Sequence, residues 1–178
     1  YQIPNMLVSS YELERIRNHP DPLLEFQIAI RCITCPDTEI TRTLRDWVSE
    51  RFNVSINSVF APLGFGYIIG ESHEKWPSRY GSIGKPYPGH SVAIINEDGE
   101  ELEVGQSGEI AIHTTDQYDY PDPSVSLSYW SSSQIHETPK TGEWIGTGVI
   151  GYADDDGYIW RTPIEPTNLT DTVSESTS

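Results

Sequence analysis

Ile40, Leu44, Trp47, Val48 and Phe52 recur three and four residues apart, with Arg42, Arg45, Asp46 and Ser49 off that stripe. The spacing places the apolar side chains on one face and predicts an amphipathic helix. Asn53 ends it, because Asn tolerates the left-handed conformation common just beyond a helix. Near the start, Met6, Leu7, Tyr11 and Leu13 follow Pro4 at mostly helical spacing. This predicts a helix from Pro4 to about Arg17, closed by His19-Pro20-Asp21-Pro22. Phe26 to Cys32 reads as a buried strand, and the apolar, glycine-rich Val59 to Ile69 as a buried strand running into a loop.

From about Ser91 the pattern changes to short strands and turns. Val92 to Ile95, a turn at Glu97-Asp98-Gly99-Glu100, and Glu101 to Val104 predict a hairpin. Glu109 to His113 alternates around Ile110 and Ile112. Gly151 to Ala153 and Tyr158 to Trp160 flank Asp154-Asp155-Asp156-Gly157 as a second hairpin. Three consecutive aspartates lack the alternating ligands and distant Glu of a calcium loop, so they read as a solvated turn. Asp116 to Ser133, polar and broken by Pro121 and Pro123, reads as a long surface excursion. Beyond Arg161 the periodicity stops, and the Ser-, Thr- and acid-rich end is expected to be disordered.

Charge narrows the function classes. With 27 Asp plus Glu against 11 Lys plus Arg, the net charge is -16, and only Lys75, Lys85 and Lys140 are lysines. Such a field repels phosphate backbones and argues against nucleic-acid binding. Two origins stay open: an ordinary acidic protein, or one adapted to a high-salt cytoplasm that screens its self-repulsion. No apolar run approaches the roughly 18 residues that span a bilayer, and no signal-peptide pattern is visible in the sequence. The expectation is a soluble, cytoplasmic protein without a membrane span. Starting without Met, the chain reads as processed, cut or part of something longer.

Cys32 and Cys35 are the two cysteines, spaced C-x-x-C. A redox pair or half of a metal site is one reading. No second Cys pair exists and the five His are scattered, so structural thiols are the other, favoured reading.

The order and spacing of several short motifs carry a resemblance. They are Gly81-Ser82-Ile83-Gly84-Lys85-Pro86-Tyr87-Pro88-Gly89, Gly105-Gln106-Ser107-Gly108-Glu109-Ile110, Thr147-Gly148, and Gly151-Tyr152-Ala153 with Asp156-Gly157-Tyr158-Ile159-Trp160. Together they resemble the second half of the large domain of adenylate-forming (AMP-binding) acyl-CoA synthetases, nearest the acetyl and medium-chain enzymes. The resemblance is strong from Gly81 to Trp160 and weaker towards Tyr1.

It implies a mixed α/β fold: residues 1–75 as the end of an α/β subdomain and 76–162 as a β-barrel-like subdomain of short antiparallel strands. Residues 163–178 would be a disordered acidic tail. It also implies a lineage that joins a carboxylate to ATP through an acyl adenylate and then transfers the acyl group to coenzyme A. The family's cofactors are therefore ATP or AMP, Mg and CoA.

This sequence departs from the family where ligands are held. The family's Tyr-Gly-x-Thr-Glu motif aligns with Phe60-Ala61-Pro62-Leu63-Gly64. Phe60 keeps the aromatic ring expected to flank adenine, while Leu63 and Gly64 supply neither hydroxyl nor carboxylate. A hard cation needs oxygen ligands, and Glu71 is the nearest acid. The family's Thr-Gly-Asp, whose Asp grips ribose, reads Thr147-Gly148-Val149, so Thr147 and Gly148 are the remaining match. The Gly-Arg pair after Trp160 falls at Pro163 and Ile164, and the turn bordering adenine at Pro36-Asp37-Thr38.

The site expectation is thus no catalytic or metal-binding residue, with Phe60, Thr147 and Gly148 as remnants of a nucleotide site. No cofactor is expected for this chain alone. The leading reading is a synthetase segment without competent chemistry. Alternatives are a non-catalytic interaction or regulatory module that pairs with a full-length synthetase or weakly binds an acyl or nucleotide ligand, a thiol oxidoreductase using Cys32 and Cys35, and one piece of a split chain.

Overall fold

Asn5–Leu7 (β1) lies parallel to Cys32–Cys35 (β2), and β2 lies parallel to Ile56–Phe60 (β3). The computed structural model describes residues 4–19, 29–36, 40–62, 64–126, 128–131 and 133–163. Two helices connect these strands: Ser10–Asn18 (α1) and Arg42–Phe52 (α2). Their apolar faces meet the strands in one cluster that includes Leu13, Ile33, Leu44, Val48 and Ile56.

α2 forms where the apolar stripe predicts it. Thr41 caps its start by accepting from Leu44 N, and Asn53 ends it at φ 54°, ψ 38°. The first predicted helix is corrected. Asn5–Leu7 extends beside β2, and the helix begins only after Ser9. Ser9 and Glu12 form a reciprocal capping box that satisfies two otherwise orphaned N–H groups. That Ser-x-x-Glu spacing was the signal that apolar periodicity overrode. The strand expected at 26–32 is also corrected: residues 26–28 lie outside the described residues, and the strand runs Cys32–Cys35, with Ile33 and Cys35 facing the core. Cys32 and Thr34 occupy the opposite face, so strand alternation points the two sulfurs apart.

The rest of the main sheet is antiparallel. Its strands are Ile69–Gly70 (β4), Ser82–Pro86 (β5), Val92–Ile95 (β6) and Gly108–His113 (β7). A separate hairpin, Ser128–Ser131 (β8) with Gln134–Glu137 (β9), precedes Trp144–Ala153 (β10) and Ile159–Arg161 (β11). Among the described residues the strand order is β1-β2-β3-β4-β5-β11-β10-β7-β6, an open sheet with β1 and β6 at its edges. The chain is thus mixed α/β, with a parallel start and an antiparallel remainder. A second cluster, including Phe60, Ile69, Ile83, Ile110, Ile145 and Ile159, fills the antiparallel part.

The β10–β11 hairpin appears as predicted. Its aspartate turn, however, is more than solvated: Asp154 accepts from Trp160 Nε1 at 2.9 Å and Arg79 Nη1 at 2.7 Å. The predicted partner of β6 is corrected. The predicted turn forms, Glu101 bridges Ile95 and Leu102 N donates to Ile94 O at 2.7 Å, but the strand that pairs along the length of β6 is β7. The predicted strand at 59–69 begins earlier, at Ile56, and stops at Phe60. Residues 116–133 are not wholly superficial: Val125 is buried, and the buried Asp122 meets His90 Nδ1 at 2.6 Å.

Gly84 marks the tightest crossing. It has φ +100°, and a Cβ there would lie 2.0 Å from Gly70 O. Only glycine lets β4 and β5 approach this closely. Residues 164–178, where the acidic tail is expected, lie outside the described residues.

Candidate functional site

Thr147, Gly148 and Val149 form an irregularity in β10, where its register against β7 shifts between Gly146 and Ile150. Three polar groups of this bulge have protein partners. The Thr147 hydroxyl donates to Ile110 O at 2.8 Å and accepts from Val149 N at 3.3 Å. Gly148 N donates to Glu109 Oε1 at 2.8 Å. Glu109 on β7 therefore pins the bulge, a role that alternation alone did not reveal. Its place in the Gly108-Glu109-Ile110 motif was the available signal. Val149 packs its side chain against the antiparallel core cluster. A ribose-gripping acceptor would have to project there, and valine has none.

Phe60 closes β3, where it pairs with Ile69 and is 4% exposed. Its ring belongs to the same cluster that Val149 touches. The structure therefore brings Phe60 and Val149 to one apolar body, while Thr147 and Gly148 sit on the neighbouring bulge. The aromatic remnant is a core residue.

After Phe60 the chain enters a loop stitched to residues 124–126. Gly66 N donates to Ser124 O at 2.7 Å, Ser126 N donates to Gly64 O at 2.9 Å, and Phe65 bridges Val125. Gly64 occupies φ +89°. That left-handed backbone disfavours the glutamate that the aligned motif would place here. The departure is conformational as well as chemical. Leu63 lies outside the described residues.

Glu71, the nearest acid, is 2% exposed and held in a structural network. Its Oε2 accepts from Arg45 Nη2 at 2.9 Å, Ser58 N at 2.8 Å and Ser58 Oγ at 2.7 Å. Among the described residues no three His, Cys, Asp or Glu side chains converge as a ligand set for a metal. At the position that the resemblance aligns with the family's magnesium ligand, Gly64 has no side chain, and Glu71, the nearest acid, is held by Arg45 and Ser58. Beside Glu71, burial first, then the charges of Glu71 and Cys32, push the Tyr87 hydroxyl up to about 12. That hydroxyl donates to Glu71 O at 2.9 Å.

No protein-family model matches the chain. Its relatives are CoA ligases. It is 29% identical over 121 residues to the acyl-CoA ligase YtcI of Bacillus subtilis, an alignment covering 68% of this chain and 22% of that protein. Against the oxalate-CoA ligase of Arabidopsis thaliana it is 28% identical over 149 residues, covering 83% of this chain and 27% of the relative. The chain thus spans about a quarter of the length of these relatives. In fold it is similar to the O-succinylbenzoate coenzyme A synthetase of Bacillus subtilis, solved with ATP and magnesium. The TM-score is 0.67 at 21% identity, covering 89% of this chain and 31% of that structure. No helix among the described residues is long and apolar enough to cross a membrane.

Proposed function

We propose that this homologue of adenylate-forming CoA ligases corresponds to the closing segment of their large domain and does not by itself form acyl adenylates. The division proposed, residues 1–75 and 76–162, follows the two apolar clusters only in part, because Phe60, Ile68 and Ile69 pack with the antiparallel strands and the break between clusters falls between Ile56 and Phe60. ATP or AMP, Mg and CoA would be cofactors of the complete reaction, not of this segment.

The observation that carries the reading is Val149. Where the resemblance calls for a ribose-binding carboxylate, an apolar side chain packs on the core, and Glu109 and Ile110 already hold the backbone around it. Removing one group that stabilises developing charge commonly costs about 10²–10³ in rate. Here the loss at Val149 adds to that at Gly64. ATP–pyrophosphate exchange by the purified chain, across short, medium, long and aromatic acids, tests the reading. Exchange above background with any acid overturns it.

A second reading is favoured by the exposed edge of the parallel strands. β1 is three residues long and ends the sheet among the described residues, with Leu7 60% and Tyr11 71% exposed beside it. Such an edge suits addition of further polypeptide. The partner would be a full-length synthetase or the remaining segments of a split chain. Light scattering of the chain mixed with such a synthetase tests this. A mixture that stays as two separate species argues against it.

A further inference from the structure

The β8–β9 hairpin stands apart from the main sheet, and every β8 residue is exposed. Across its base Thr138 Oγ1 donates to Ser126 O at 2.6 Å, and Ser126 N donates to Gly64 O at 2.9 Å. The hairpin is thus fixed to the body at one end. Cross-strand neighbours share a face, so Tyr129 lies beside His136 on one face and Trp130 beside Ile135 on the other. The Tyr129 and His136 rings stack with centroids 5.3 Å apart. Tyr129 is 54%, Trp130 69% and Ile135 70% exposed. A two-stranded hairpin is marginally stable in water without a third strand or a covered face. Among the described residues, β9 is the one strand paired with β8.

The chain has a net charge of -16, yet Ser124 to His136 contain no Asp, Glu, Lys or Arg. Two copies repel through their acidic surfaces, and an exposed uncharged strand is where they meet at least electrostatic cost. The uncharged residues 53–70 differ, because their strand β3 is buried throughout. Edge strands that resist self-pairing carry a charge, a Pro or a bulge. β9 ends in the exposed Glu137, whereas Ser128-Tyr129-Trp130-Ser131 has none of the three. A basic partner would be held by the acidic surface instead, and a bilayer would leave the polar edge of β8 unpaired.

We propose that β8 pairs antiparallel with β8 of a second copy of this chain, joining two hairpins into one four-stranded sheet about a two-fold axis. The axis sets Tyr129 or Trp130 against its own counterpart, an aromatic cross-strand pair. An aromatic side chain buries about 150–250 Å² at most, so the four rings bring roughly 600–1,000 Å². That is the low end for a specific interface, and the dimer is weak and concentration-dependent. This surface is separate from the β1 edge and from Phe60, Thr147, Gly148 and Val149, so its test stands apart from that of adenylation.

The experiment is sedimentation equilibrium of the purified chain from about 1 μM to about 1 mM, in NaCl at about 0.1 M and 1 M. The expected result is a monomer–dimer equilibrium that tightens with salt, because screening weakens the repulsion between acidic surfaces. Trp130→Lys raises Kd at least about tenfold, although it lowers the net negative charge. Ser128→Lys does the same while keeping the Trp130–Ile135 pair and facing Glu137 across the hairpin, so its loss of association is not a loss of the hairpin. Leu7→Lys, on the β1 edge, leaves association unchanged. A chain that stays monomeric throughout overturns the proposal. So does association that weakens with salt, survives Ser128→Lys and Trp130→Lys, or disappears in Leu7→Lys. Co-sedimentation of a purely monomeric chain with phosphatidylcholine vesicles would assign the hairpin to a membrane surface and overturn it as well.

Discussion

Glu71 Oε2 accepts a hydrogen bond from Arg45 Nη2 at 2.9 Å, tying α2 to the strand layer through a carboxylate that is 2% exposed. Two further donors from Ser58 meet the same oxygen. A buried pair supported in this way is costly to break from one side, because the surviving charge is left uncompensated. Glu71→Ala should therefore lower unfolding free energy by about 3–5 kcal/mol in urea titration. Glu71→Gln, which keeps an acceptor for Ser58, should cost less. Equal and small losses in both variants would assign Glu71 to a solvated surface.

Asp154 organises the β10–β11 turn and should make that turn sensitive to acid. Burial opposes its charge, but the Trp160 indole, the backbone N–H groups of Tyr158 and Asp156, and Arg79 outweigh it. They hold the carboxyl below its ordinary 3.8. A carboxylate held lower in the folded than in the unfolded state stabilises the fold above the unfolded value, and that contribution disappears as pH falls through the folded one. Wild-type chain should thus lose stability on acidification below about pH 4. Asp154→Asn should be less stable near neutrality and lose less on further acidification. Parallel acid slopes for the two proteins would contradict this.

Tyr87 gives the opposite pH limb. Its hydroxyl is raised from 10.0 to about 12, chiefly by burial. Stability from this shift is complete below about pH 10 and is lost between about pH 10 and 12, where the unfolded chain ionises and the folded chain still holds its proton. Tyr87→Phe should be slightly less stable at neutrality, through loss of the hydrogen bond to Glu71 O, and flatter in alkali. Thermal melts across that range decide it.

Periodicity exposed α2, whose apolar stripe is its buried face, and alternation around Ile110 and Ile112 exposed β7, although Ala111 between them is buried as well. The same reasoning misplaced the first helix: Met6 and Leu7 fit a helical stripe, yet their backbone pairs with β2, a long-range contact that local spacing does not encode. Likewise β6 and β7 pair across residues 96–107, past the nearer Glu101 to Val104. At the candidate site, the missing oxygens at Gly64 and Val149 could be read directly from residue type. The positive φ of Gly64, the burial of Phe60 and the Glu109–Gly148 contact depend on packing, and so did not show in the sequence.

Introducing the carboxylates that the resemblance calls for tests the proposed reading. Val149→Asp places a charge against the core cluster and next to the bulge that Glu109 already holds, with its carboxylate on Gly148 N at 2.8 Å. Desolvation and like-charge repulsion should both oppose folding. Gly64→Glu has open space around its Cβ but must keep a backbone at φ +89°, a strain of about 1–2 kcal/mol. Each variant should melt below wild type, and the double variant should show no ATP–pyrophosphate exchange. The side chains return to a scaffold whose loop and bulge are already committed to other contacts. Exchange appearing in Val149→Asp alone would mean that the scaffold had stayed competent and that a single acceptor was all it lacked.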